Sequence, residues 1–321
     1  MRLHAWLIVV FFFVSTAQAA DTFPSKPIRM LVPFPAGGGI DVVGRILADQ
    51  MAEQAGQQVV VDNRAGASGN IAGTVVADAN PDGYTLLFAL DTLITANPYL
   101  FAKIGYDPVK QLAPISRVGI SQLVILVNPA IAAQSVSQLI MLAKEKPGQL
   151  NIGSAGIGTA AHLAGELFVR TAGLRMVHVP YKGSPQAITD LVSGQIQVTT
   201  PTVPAAMAMI RSNRARALAV TGSKRSPALP EIPTVAEAGL PGYEVEFWVA
   251  LLAPAKTASA TVAHLAEQTG RALDIPAVRT HLLKQGMDAA ASSPQVLADL
   301  IARDSKKWGK LIKDANIKIG E

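Results

Sequence analysis

The chain has 321 residues, half of them hydrophobic, no cysteine and a formal net charge of +5. That length supports one large domain or two of ordinary size, and without cysteine there are no disulfide staples and no thiol catalysis. The 28 basic residues form no block and aromatics are only 5%, which excludes a nucleic-acid footprint.

Arg2, the apolar run over residues 5–14 and the small-x-small triplet Ala17-Gln18-Ala19 predict a secretory signal peptide over residues 1–20, cleaved after Ala19 or Ala20. No cysteine follows it to take a lipid, and no later run approaches the roughly 20 apolar residues of a membrane span. The mature protein is expected to be soluble and exported into a periplasm.

Residues 28–34 read as a strand, and Ile40, Val43, Leu47 and Met51 fall at helical spacing. Between them lie Gly37, Gly38 and Gly39. A glycine turn opening into a helix presents unpaired N–H groups at the positive end of the helix dipole, which is either an anion site or a bare tight turn. Residues 58–62 and 84–90 predict further strands, with a helix beginning at 71–77 and turn chemistry at Pro81-Asp82-Gly83. Asp91 to Asn97 then falls at the same sheet edge as the glycine turn, where ligands of open α/β sheets bind. Residues 99–114 read as irregular, and 123–127 as a strand.

A second series follows: a helix over 136–144, a strand over 150–154, the glycine turn Ala155-Gly156-Ile157-Gly158-Thr159, and a helix over 160–171 with Thr159 at its N-cap. Strands over 176–179, 196–199 and 215–221 alternate with helices from Pro185 and over 204–210. After a Pro- and Gly-rich linker over 222–243, with a short helix at 234–238, come a strand over 246–253 and helices over 261–273, 277–285 and 294–313. The alternation predicts a mainly parallel α/β arrangement. It divides into lobe 1 (21–122 plus 225–321) and lobe 2 (123–224), with a hinge and a ligand cleft between them.

Several chemistries are missing from the pattern. Among the histidines, no H-x₃-H or HExxH spacing occurs, so no metal is expected. Gly153-Ser154-Ala155-Gly156 is not a nucleophile elbow, there is no phosphate loop or dinucleotide fingerprint, and no cofactor is expected. Asp41 and Asp49 lie about two turns apart, too far to work as an acid–base pair. Single residues stay open. Asp41 either opposes its helix dipole or meets water or an amine. His162 is either a core hydrogen-bonding group or a ligand contact, Lys182 a solvated loop charge or a contact, and Trp248 a core residue or part of the cleft wall. No positive case for an enzyme emerges; the rival reading is a periplasmic hydrolase or isomerase using Asp41 and His162.

The series Val32-Pro33-Phe34-x-Ala36-Gly37-Gly38-x-x-Asp41, Val59-Val60-Val61-Asp62-Asn63-Arg64, Pro81-Asp82-Gly83-Tyr84-Thr85 and Gly158-Thr159-x-x-His162-Leu163 resembles the Bug family. These are periplasmic solute-binding receptors of tripartite tricarboxylate transporters. Val179-Pro180-Tyr181-Lys182-Gly183, residues 224–230 and residues 233–239 match as well, so the likeness runs through essentially the whole mature chain. It implies a type II periplasmic-binding-protein-like fold of two α/β lobes and a carboxylate held in the cleft by backbone N–H groups and waters. It also implies membrane transport subunits as partners, or a sensor protein in the alternative reading. A monomer is expected.

Ligand contacts are expected at Phe34, Ala36, Gly37, Gly38 and Asp41, at Asp91 and Thr92, and at Ser154, Gly156, Gly158, Thr159 and His162. Lys182, Gly183, Pro201, Thr202 and Trp248 complete the set. The N-termini at Gly38–Asp41 and Gly158–His162 should face each other, with Phe34, Pro35 and Tyr181 as walls. The chain departs from its relatives at Ala89-Leu90-Asp91-Thr92 and at Thr200-Pro201-Thr202, where an Asp that could receive a ligand amine is absent. That favours a plain carboxylic acid over an amino acid.

Overall fold

Two separate β-sheets organise the chain. The computed structural model describes residues 23–319, and the expected signal peptide lies outside the described residues. In chain order come β1 (Ile28–Val32), α1 (Gly39–Ala55), β2 (Val59–Asn63), α2 (Asn70–Ala77) and β3 (Thr85–Leu90). Three short helices, α3 (Asp91–Thr95), α4 (Asn97–Leu100) and α5 (Pro108–Gln111), lead into β4 (Leu112–Ser121). The next unit runs through β5 (Val124–Val127), α6 (Val136–Glu145), β6 (Asn151–Ser154), α7 (Ala160–Thr171) and β7 (Val177–Pro180). It closes with α8 (Ser184–Val192), β8 (Val198–Thr199), α9 (Val203–Arg211) and β9 (Arg216–Val220). After a long linker come β10 (Phe247–Pro254), α10 (Ser259–Asp274), α11 (Pro276–Lys284), β11 (Met287–Ala289) and α12 (Pro294–Asp314).

The first sheet has the order β11-β4-β10-β3-β1-β2 and the second β7-β6-β8-β5-β9. Both are mixed, not mainly parallel. The βα units keep parallel pairs, β1 with β2 and β3, and β6 with β7 and β8. β10 is antiparallel to β3 and β4, and β5 to β8 and β9. The cause is the chain path: β4 runs out toward the second sheet and β10 runs back from it, so the two must oppose. β4 escapes a periodicity reading because Pro114 and Gly119 interrupt it, and its pairing with β10 carries register shifts.

The helix expected at 234–238 is a single capped turn. Glu237 N–H donates to Thr234 Oγ1 (3.1 Å) while Thr234 N–H donates to Glu237 Oε2 (2.9 Å), a reciprocal cap that Gly239 at φ 118° ends.

The last helix serves both lobes. Pro294 opens α12 and Ser293 Oγ accepts from Val296 N–H. With 21 residues, it is roughly 30 Å long at 1.5 Å per residue. Its first half packs Leu297 and Ile301 against Leu31, Ala72 and Trp248 of the first lobe. Its second half packs Trp308, Leu311 and Ile312 against Ile125, Leu163 and Phe168 of the second. Residues 294–321 were expected with lobe 1 alone; the apolar stripe of α12 continues into the other core.

Candidate functional site

Each lobe carries a glycine turn that is fixed from behind by a buried polar hub. In the first lobe, β1 ends in residues 33–38, and Gly37 sits at φ +82°, where a side chain is strained. Asp41, 1% exposed, ties this turn down. Its Oδ2 accepts from Gly37 N–H (2.8 Å) and Arg45 Nε (3.0 Å), and its Oδ1 from Asn63 Nδ2 (2.8 Å). Asn63 Nδ2 also donates to Phe34 O (2.9 Å). Burial pushes the Asp41 pKa up, but the bonds from Arg45, Asn63 and Gly37 outweigh it and hold the carboxyl below its usual range. Asp41 is thus engaged inside its own lobe by three donors.

In the second lobe, β6 ends at Ser154, and Gly158 sits at φ +76° before the N-cap Thr159. Thr159 Oγ1 accepts from His162 N–H and donates to Gly156 O (2.7 Å). Gly158 N–H donates to His162 Nδ1 (3.0 Å), so this imidazole is the neutral tautomer with its proton on Nε2. Burial, then the neighbouring His178, lowers the His162 pKa to about 4. The two rings stack with centroids 3.9 Å apart, and His178 Nε2 lies 2.7 Å from Ser154 Oγ. That last pair has the spacing of a nucleophile and its base, yet Ser154 is 1% exposed, with Oγ held between the N–H and the carbonyl of Gly156. Ser154 and His162 support the turn from the inside.

Between the lobes lies a cavity of about 300 Å³. Of the expected contacts, Phe34 and Thr92 line it from the first lobe, and Gly158, Thr159 and Thr202 from the second. Sequence reasoning missed Ser68, Leu90, Leu93 and Asn97 on one side, and Leu123, Ala155, Ile157, Ala160, Ala161 and Ser184 on the other. It also missed Ile319, from the C-terminal segment. Ala160 and Ala161 adjoin the named turn and could have been found, since the first residues of a helix carry N–H groups with no acceptor inside it. The loop holding Ser68 is strained: Ala67 and Ser68 have φ of 46° and 53°. Asn97 Nδ2 pins it by donating to Ser68 O (3.1 Å) and Asn70 Oδ1 (2.9 Å).

The remaining expectations fall elsewhere. Ala36, Gly37 and Gly38 do not line this cavity, nor does Pro201. Gly156 is part of the supporting network and Gly183 is the N-cap of α8. Lys182 is exposed, its backbone N–H bonded to Gln186. Trp248 is a core residue, 2% exposed, donating from Nε1 to Asp304 Oδ2 (2.8 Å). Asp91 is fully buried at the start of α3 and neither oxygen has a hydrogen-bond partner. Burial, then Asp304, pushes its pKa well up; the Thr92 and Asp91 N–H groups and Lys307 act the other way and are outweighed. It faces Asp304 and Lys307 of α12.

Among the described residues, no group of three His, Asp or Glu is placed to hold a metal, and no helix is long and apolar enough to cross a membrane. Comparison with known proteins decides the family: a model described as "Tripartite tricarboxylate transporter family receptor" matches residues 43–317. The chain belongs to this receptor family. BugT of Bordetella pertussis is 35% identical over 99% of this chain and 100% of its own length. Among solved structures, Rpa4515 of R. palustris with adipate is 33% identical, with TM-score 0.78 over 92% of this chain and all of that one. MatC of Rhodopseudomonas palustris with bound malate is 31% identical, with TM-score 0.74 over 90% of this chain and all of that one. The two-lobed solute-binding fold is common to this receptor and those proteins.

Proposed function

We propose that this receptor captures a small carboxylate in the interlobe cavity, in the periplasm, and delivers it to the membrane subunits of a tripartite transporter without chemical change. The observation that carries the reading is the N-terminus of α7 at the cavity wall, where Ala160 and Ala161 offer N–H groups and the helix dipole adds positive potential. Hydrogen bonds to a charged acceptor contribute about 1.5–3 kcal/mol each. Two of them supply about 3–6 kcal/mol and three about 4.5–9, so three approach micromolar affinity, about −8 kcal/mol. Adipate and malate in the relatives point to the same ligand class. The acid–base reading loses its support, since Asp41 and His162 are each engaged within their own lobe. Ligand that bridges the lobes favours the closed form by its preference for that form.

The test is thermal unfolding of the mature protein, stripped of co-purified ligand by unfolding and refolding. The panel is aliphatic di- and tricarboxylates, acidic amino acids and aromatic acids. A ligand at 100 times its Kd adds about 2.7 kcal/mol, so a rise in Tm from one chemical class is expected. No shift with any acid refutes the reading, and turnover of a bound acid refutes passive delivery.

A further inference from the structure

Two features of the cavity bear on which acid it accepts. The first is neutrality: among the described residues, no Asp, Glu, Lys, Arg or His lines it. A ligand ammonium would lose its water there without gaining a carboxylate, which burial penalises heavily. The donors that remain, backbone N–H groups and the hydroxyls of Ser68, Thr92, Ser184 and Thr202, suit carboxylate oxygens.

The second is an apolar wall drawn from three distant parts of the chain. Phe34 and Leu93 come from the first lobe, Leu123 and Ile157 from the second, and Ile319 from beyond α12. Ile319 is placed deliberately by the packing around it. Ile317 is buried in the second lobe's core, and Ile319 N–H donates to Leu100 O (3.2 Å). A Cβ built on Gly158 would come within 2.9 Å of Ile319 Cδ1 and of Leu100 Cδ1. The C-terminal segment thus lies directly against the turn that opens α7. Ile157, on the same turn, is 46% exposed and free to be covered by a ligand.

We propose that the cavity takes an acid with an uncharged hydrocarbon body, and that Ile157 and Ile319 form the wall that selects it. The selection rests on the carboxylate-receptor reading and sharpens it. A methylene in an apolar pocket discriminates by about 10–200-fold, and adipate presents a longer uninterrupted methylene chain than malate or glutamate, so a hydrocarbon acid is preferred over those hydroxylated and aminated acids by about tenfold or more.

The experiment is calorimetric titration of the ligand-stripped mature protein with adipate, benzoate, malate and glutamate, repeated on Ile157→Ser and Ile319→Ser. Adipate or benzoate is expected to bind at least about tenfold tighter than malate and glutamate. Each variant should lose about tenfold for the hydrocarbon acid and much less for malate. Ile157→Ser alters an exposed side chain and keeps the test available if Ile319→Ser loosens the C-terminal segment. Malate or glutamate binding as tightly as adipate and benzoate overturns the proposal and leaves the carboxylate receptor standing. Hydrocarbon selection that survives both variants overturns the assignment of the wall. Binding of no acid at all brings down the receptor reading and this proposal with it.

Discussion

Replacing Asp41 by alanine separates a supporting role from ligand contact. The substitution removes three hydrogen bonds at 2.8–3.0 Å from a carboxylate that is 1% exposed. The Arg45 bond is discounted, because that side chain is 47% exposed and screened by water. The bonds from Gly37 N–H and Asn63 Nδ2 remain, at about 1.5–3 kcal/mol each for a charged acceptor and less than additive. Removing the carboxylate also relieves the cost of burying it. The expected loss is about 2–4 kcal/mol, read by urea unfolding at pH 7. The pH dependence has a fixed sign. The folded pKa lies below the ordinary 3.8, so the stabilisation is fully present above the unfolded pKa and is lost as pH falls through the folded value. The gap between the native protein and Asp41→Ala should therefore shrink below about pH 4. A variant within about 0.5 kcal/mol of the native protein at pH 7, but unable to bind any acid, would refute the supporting role and make Asp41 a ligand contact.

Four further outcomes follow from the same geometry. His162→Ala should cost about 1–3 kcal/mol by leaving Gly158 N–H without its acceptor, with partial recovery in His162→Asn, whose carbonyl can accept; equal losses in urea unfolding would argue against that bond. The folded His162 pKa of about 4 lies below the ordinary 6.5, so the native protein should lose stability as pH falls from about 6.5 to 4, and His162→Asn should lack that contribution. Asp91→Asn should raise Tm at pH 7, because the folded pKa is raised and ionisation is penalised above the unfolded value; the gain should vanish toward pH 3, and a loss at pH 7 would show that the buried carboxylate is stabilising. Trp248→Phe should cost about 1.5–3 kcal/mol by removing the donor to Asp304 with carboxylate affinity kept; loss of affinity at unchanged stability would return Trp248 to the cleft.

The βα units were legible in the sequence because apolar runs and glycine turns report local structure. The two glycine turns and their helices lie where the spacing of Ile40, Val43 and Leu47, and the helix read over 160–171 behind Thr159, put them. What escaped was set by distant pairing. β4 holds its place through β10 and β11 despite Pro114 and Gly119, and α12 divides between two cores that no local pattern distinguishes. At the site, motif logic found the turns but confused the residues that hold them with those that face the cavity. Asp41, Ser154 and His162 are polar and adjacent to glycine, as contacts would be, and only their hydrogen-bond partners show that they point inward. Ile319 had no local signal at all, since it reaches the cavity through the packing of α12.

The most direct measurement is the affinity of Ala160→Pro for adipate. Ala160 is the first residue of α7, and Thr159 before it has φ −70° and ψ 160°, a conformation that suits the residue before proline. Proline at this position keeps the helix and deletes one N–H. If that N–H helps hold the carboxylate, affinity should fall by about 10–100-fold, the equivalent of 1.5–3 kcal/mol, with Tm of the unliganded protein unchanged. Unchanged affinity in a variant of native stability would contradict carboxylate capture at the N-terminus of α7.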